Sequence, residues 1–172
     1  KQREPFLEMY QINRIVEEVI ALVQRQADDA HAILMTELDE NLPAIPVDHE
    51  GIHQVVLNLL TNAIDAVPPG KGAITVRTAF DAERREVIIS VTDNGPGIAP
   101  EHRSKIFTPF HSTKGHGGTG LGLAVARKIV REMHGRLILV QPPDGGTEFR
   151  VTLPELQPPT RGVADTHGPG GT

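Results

Sequence analysis

Apolar residues at Ile12, Ile15, Val16, Val19, Leu22 and Val23 recur three and four positions apart, which predicts a helix from Ile12 to Ala27 with one buried stripe. The next stretch, AILMTEL at 32–38, reads as a strand, and NLPAIPVD after it as a connection broken by prolines. A second helix is predicted from its cap at Asp48 through Val67, its apolar face made by Ile52, Val55, Val56, Leu59, Leu60, Ala63 and Ile64. PPGKG breaks it. Two strands follow, AITVRTAF at 73–80 and EVIISVTD at 86–93, and the polar link DAERR between them predicts an antiparallel hairpin. A third helix is expected from about Gly120 to Met133. RLILVQ at 136–141 and TEFRVTL at 147–153, separated by PPDGG, form a second predicted hairpin. Internal repeats are absent.

Few strands in this order are followed by a crossover helix, so a doubly wound parallel sheet is excluded. The expectation is an α+β fold: a two-layer α/β sandwich whose mixed, mostly antiparallel sheet is covered on one face by about three helices. Residues 1–10 read as the end of a preceding segment or linker, and 11–154 as one domain. ELQPPTRGVADTHGPGGT, residues 155–172, holds too little apolar surface to order itself and reads as a disordered tail. The chain starts at Lys1 rather than a methionine and is read as a piece of a longer protein.

Composition narrows the function. A net charge of -5 and 3% aromatic residues with no Trp argue against a nucleic-acid partner, which needs cations for the backbone and rings for the bases. With no cysteines, disulfides and thiolate metal sites are excluded, which fits a reducing, cytoplasmic compartment. No apolar run approaches the ~20 residues that span a bilayer, and no signal-peptide pattern is present, so this stretch is expected to make no direct membrane contact.

Four constellations could carry chemistry. Asn58, Asn62 and Asp65 lie four and three apart on the second helix and share a face at or beyond the margin of the apolar stripe. Such a face is either simply solvated or suited to a cation and anionic oxygens together, since an amide carbonyl is a hard oxygen ligand for Mg²⁺. VTDNGPGIAP, at 91–100, ends a strand in Asp93 and sets Gly95 and Gly97 beside it. It is either a turn or a carboxylate held against a flat ligand that the glycines let approach, for a buried carboxylate must be paired. Seven of the seventeen glycines fall between 95 and 122. GHGGTGLGL, at 115–123, runs into the third helix and could offer backbone N–H groups to an anion, although it matches neither a Walker loop nor a dinucleotide fingerprint. In IFTPFHSTK, at 106–114, Phe107 and Phe110 are apolar hooks and Lys114 is a cation able to reach phosphates. His102, His111 and His116 cluster nearby, but the spacing and fourth ligand of a zinc site are missing.

In this order, HQVVLNLLTNAIDAV, DNGPGI, IFTPFHSTK, GTGLGLAVARKIV and GGTEFRVTLP closely resemble the N, G1, F, G2 and last glycine boxes of sensor histidine kinases. The resemblance covers about residues 11–154 and looks most like the nitrogen-regulator-type branch, with NAIDA where many other kinases carry Lys or Arg near Asp65. It implies a Bergerat-type ATP-binding catalytic domain of the gyrase, chaperone, kinase and mismatch-repair superfamily, with ATP and Mg²⁺ as cofactors. On that resemblance Asn58 would coordinate Mg²⁺ and Asn62 the metal or the phosphates, with Asp65 beside them. Asp93 would bind the adenine amino group, Gly95 and Gly97 would let the base close in, and Thr147 would sit beneath it. Residues from about 99 to 119 would form a lid, anchored by Phe110, with Lys114 near the phosphates. Gly118, Gly120 and Gly122 would wrap the triphosphate, and Ile98, Thr113, Thr119, Leu121 and Leu123 would complete the site.

The same resemblance separates kinase from hydrolase. Gyrase-like ATPases carry a water-activating Glu four residues before the second conserved Asn, where this chain has Asn58, and an amide cannot act as a general base. The expected activity is therefore protein-histidine kinase. Its acceptor histidine would lie on a separate dimerisation and phosphoacceptor helical domain, its further partner would be a response regulator receiver domain, and the longer protein would be a homodimer. A regulatory nucleotide-binding module and an anti-sigma-type serine kinase or ATPase of the same fold are the alternatives.

Overall fold

The computed structural model describes residues 4–111 and 120–156. In chain order these form β1 (Glu8–Tyr10), α1 (Ile12–Asp29), β2 (Ile33–Glu37), β3 (Ile45–Val47), α2 (His49–Ala66), β4 (Ala73–Asp81), β5 (Glu86–Asp93), α3 (Pro100–Arg103), α4 (Gly122–Glu132), β6 (Arg136–Val140) and β7 (Thr147–Pro154). Five strands make one sheet in the order β2-β4-β5-β7-β6. The β2–β4 pair is parallel and the other three are antiparallel. Both predicted hairpins are present, and the sheet is mixed and mostly antiparallel as expected.

Alternation along the strands gives the sheet its two faces. Ile74, Val76, Val87, Ile89, Val91, Leu137, Phe149, Val151 and Leu153 are all buried. This face meets the helices, with α1 packing on β2, α2 on β5 and α4 on β6. On the opposite face the register sets Glu37, Arg77, Ser90, Arg150 and Ile138 in one row. Arg77 donates to Glu37 across the parallel pair. That hydrogen bond holds the Glu37 carboxyl below its ordinary range and lifts the Arg77 guanidinium above its own. Both side chains are exposed, so the pair adds little stability. Its contribution is present above the usual carboxylate range and fades as pH falls through the lowered Glu37 value.

All seven apolar residues predicted for the second helix are buried on α2. α1 buries Ile12, Ile15, Val16, Val19, Val23 and Ala27, but Leu22 is 62% exposed. Leu22 corrects the predicted stripe: it falls at the margin, and the inward line continues through Val23 to Ala27. A polar knot ties this layer to the sheet. Thr78 Oγ1 donates to Asn13 Oδ1 at 2.7 Å, Asn13 Nδ2 donates to the Asp39 carbonyl at 2.8 Å, and the Asp39 N–H donates to Thr78 Oγ1 at 3.0 Å.

Two features differ from the sequence reading. Residues 45–47, read as a proline-broken connection, form β3, which pairs antiparallel with β1 inside the supposed linker. The short helix α3 begins at Pro100, where proline's missing N–H costs nothing. No helix among the described residues is long and apolar enough to cross a membrane.

Asp48 caps α2 as predicted, its Oδ1 accepting from the Gly51 N–H at 3.3 Å. Replacing Asp48 with Ala should lower unfolding stability by about 1 kcal/mol, the usual worth of an N-cap. Urea denaturation is the check: the midpoint should fall while the slope is unchanged.

Candidate functional site

β5 lies between β4 and β7, so its last residue, Asp93, is flanked by Ile74 on one side and Thr147 on the other. Asp93 and Thr147 are both buried, at 6% and 5% exposure. The carboxylate is held in place, Oδ1 accepting from the Gly95 N–H at 2.8 Å. Next door, Asn94 fastens the start of β4: its Oδ1 accepts from the Ala73 N–H at 2.8 Å and its Nδ2 donates to the Lys71 carbonyl at 2.9 Å.

Glycines surround Asp93 for steric reasons. A Cβ on Gly95 would lie 2.7 Å from the Ala66 carbonyl and 2.9 Å from Asp93 Oδ1. A Cβ on Gly146 would lie only 2.0 Å from the Asp93 carbonyl, and Gly146 has φ +82°, a left-handed conformation that favours glycine. Gly97 packs against the Gly146 carbonyl, 3.1 Å from where its own Cβ would stand. Together these residues form a wall of bare backbone next to a buried acid.

The amide face of α2 leads away from this wall. Asn58 and Asn62 are half-buried and Asp65 is exposed, which places the predicted face at the margin of the apolar stripe. Asn58 Nδ2 donates to the Gly122 carbonyl at 2.9 Å, fixing α2 to the first turn of α4. Its Oδ1 accepts from Gln54 Nε2 at 2.7 Å. From Asn58 to Ala66, which touches Gly95, is about 12 Å along the helix axis, comparable with the reach of a nucleoside triphosphate.

At the start of α4, the Phe110 N–H donates to the Gly120 carbonyl at 3.0 Å. Gly120 has φ +69°, and a Cβ there would lie 2.6 Å from the Phe110 carbonyl carbon. Leu121 and Leu123 are half-buried, and Leu123 and Ile98 pack against the core. Phe110, expected as an anchor, is instead 79% exposed, with φ 65°. Phe107 is the residue that docks, edge-on to Phe149 at 6.2 Å between centroids. Thr113, Lys114, Gly118 and Thr119 lie outside the described residues, as does His116.

Residues 47–157 match the family model described as histidine kinase-, DNA gyrase B- and HSP90-like ATPase. The chain belongs to this ATPase family. Over 151 residues it is 40% identical to the sensory histidine kinase/phosphatase NtrB of Salmonella typhimurium, a match covering 83% of this chain and 42% of that protein. The chain thus spans less than half the length of this curated relative. Among solved structures, the nucleotide-free catalytic domain of histidine kinase ThkA superposes with a TM-score of 0.80 at 30% identity, covering 88% of this chain and 97% of that one. ThkA in complex with response regulator protein TrrA aligns with a TM-score of 0.73 at 28% identity, covering 87% and 42%. Full-length ShkA in complex with AMPPNP gives a TM-score of 0.80 at 26% identity, covering 93% and 33%. The family and the fold expected from the sequence boxes are therefore those observed.

Two residues around Asp93 received no role in the sequence reading. Gly146 stands in the last glycine box, just before Thr147, but nothing in the letters says that it forms a wall for Asp93. Asn94 carried no signal, because an Asn before Gly predicts a turn whatever its side chain holds.

Replacing Gly146 with Ala forces a left-handed backbone on a residue with a Cβ and drives that Cβ into the Asp93 carbonyl. The expected loss of stability is at least ~1–3 kcal/mol, measured by thermal or urea unfolding. Unchanged stability would mean that β5 and β7 do not meet at this turn.

Proposed function

We propose that the chain binds Mg-ATP and presents its γ-phosphoryl group to a histidine on a separate helical domain of a longer, dimeric sensor kinase. One observation carries the reading: a buried, oriented carboxylate beside a side-chain-free wall, joined by one helix to an amide face tied to a glycine-led helix start. Adenine fits the first part. Its exocyclic amine is a donor for the Asp93 carboxylate, and the backbone of Gly95, Gly97 and Gly146 leaves room for a flat ring.

The amide face fits a metal-bound triphosphate. Asn58 Oδ1 already accepts one hydrogen bond, and an amide oxygen has a second lone pair for a cation. Asn58 and Asn62 would hold Mg²⁺, an ion that takes few protein ligands and relies on phosphate oxygens and water for the rest. Bound there, the ion would supply neutralisation of phosphate charge, the main requirement of phosphoryl transfer. The N–H groups around Gly120 and Gly122 and the dipole of α4 favour the phosphates. On this reading Thr113, Lys114, Gly118 and Thr119 complete the phosphate end.

The acids nearest to Asn58 along α2, Glu50 and Asp65, stand about two turns from it, roughly 12 and 10.5 Å along the axis, too far to serve as a base at that position. Asn58 and Asn62 cannot take a proton as a general base, which favours passing the phosphoryl group on over hydrolysing ATP. His49, the one histidine followed by an acid, is no acceptor for this site. It begins α2, about 13 Å along the axis from Asn58, with its ring bonded to Glu18 at 3.0 Å. The similarity to NtrB and to the ThkA catalytic domain supports a kinase, and the ThkA complex supports a response regulator receiver domain as the further partner. Such a site would work in the cytoplasm, where ATP is available.

Asp93→Asn replaces one acceptor oxygen by an NH₂ group that opposes the adenine amine. A charge-assisted hydrogen bond is worth ~1.5–3 kcal/mol, so affinity for a non-hydrolysable ATP analogue should fall roughly ten- to a hundredfold by calorimetry. Equal affinity would remove Asp93 from the site. With γ-labelled ATP the chain alone should acquire no acid-labile label, whereas adding the helical domain of the longer protein should give a labelled histidine on that domain. Efficient labelling of the isolated chain would overturn the proposal.

A further inference from the structure

The described surface holds a concavity to which the nucleotide reading assigns no ligand. It is a groove of about 390 Å³ between α4 and the segment before it. Phe107, Pro109 and Ala124 give it an apolar floor, and Arg127, Lys128 and Arg131 a cationic rim. The spacing on α4 makes this possible: Ala124, Lys128 and Arg131 fall four and three apart, and Arg127 joins them on the same side. The Arg127 guanidinium stacks over the Phe107 ring at 4.9 Å, and Phe107 is itself braced by Phe149. Rim and floor are therefore held together before anything binds.

Charge singles the groove out. The chain carries -5 overall, yet this rim has three cations against one acid, Glu132, which approaches Lys128 only to 3.9 Å. Lys128 and Arg131 are exposed. Three like charges on adjacent turns repel one another, and an anionic occupant would relieve that repulsion. The floor offers contact to an apolar side chain but no row of rings on which bases could stack, and the net charge opposes a nucleic-acid backbone.

We propose that this groove docks an acidic segment of a partner protein, its carboxylates on Arg127, Lys128 and Arg131 and an apolar side chain on Phe107, Pro109 and Ala124. The groove's charged rim is set apart from the amide face: Asn58 bonds the Gly122 carbonyl at the start of α4, and Arg127, Lys128 and Arg131 lie more than one turn further along. Ala124 in the first turn and Phe107 and Pro109 before the helix form the shared edge. Occupancy would bear on Phe107 and Pro109, which directly precede the Phe110–Gly120 hydrogen bond.

The test is an NMR titration of the ¹⁵N-labelled chain with a short synthetic peptide carrying a central leucine flanked by glutamates. Shifts should concentrate at Phe107, Ala124, Arg127 and Arg131, and the same peptide with glutamines should produce none. Lys128→Glu with Arg131→Glu, both at exposed positions, should weaken binding at least about tenfold while affinity for the ATP analogue stays unchanged. Arg127→Gln should weaken it separately. The proposal fails if no shifts map to the groove, if the charge reversals leave affinity intact, or if single-stranded DNA or anionic lipid vesicles bind there in preference to the peptide. Failure of nucleotide binding in the unaltered chain would count against the cradle, not against this groove.

Discussion

The register of β5 between β4 and β7 is the constraint on which the site depends. Because side chains alternate along a strand, a slip of one residue would send Asp93 to the bare face and bring Thr92 inward. The register is held from both sides. Val87, Ile89 and Val91 must bury against the helices, and the tight approach of Gly146 to the Asp93 carbonyl leaves β7 no room to slide. The same pairing that forms the core therefore aims the acid and delivers Thr147 beside it.

A second economy lies in α2. One side of the helix buries seven apolar residues, and its margin carries the two amides. The amides are thus set by core packing rather than by a loop, which suits a group that must hold an ion in one geometry. The hydrogen bond from Asn58 to the Gly122 carbonyl extends that rigidity to the helix whose start faces the phosphates in our proposal. Cradle, amide face and phosphate end are consequently referred to one frame.

Much of this was legible in the sequence where periodicity was strong. The stripe of α2, its cap at Asp48 and both hairpins follow from repeated local choices that agree with one another. The misses have physical causes. β1 and β3 are three residues each, too short for alternation to show, and Pro46 in β3 masks a strand that exists only through its partner. Leu22 stands where helical spacing admits it to the stripe, and only the position of the sheet excludes it. Phe107 and Phe110 are equivalent as letters, and the tertiary contact with Phe149 alone distinguishes them. The wall around Asp93 depends on distances between residues remote in sequence, so composition could announce glycines there without saying what they avoid.

The bond between the Phe110 N–H and the Gly120 carbonyl has a consequence for how such chains can diverge. It holds Phe110 and Gly120 together although ten positions separate them, and a side chain on Gly120 would strike the Phe110 backbone. A change at either position would pass through Gly122 to Asn58 on α2, so the frame itself limits how far these two positions can drift.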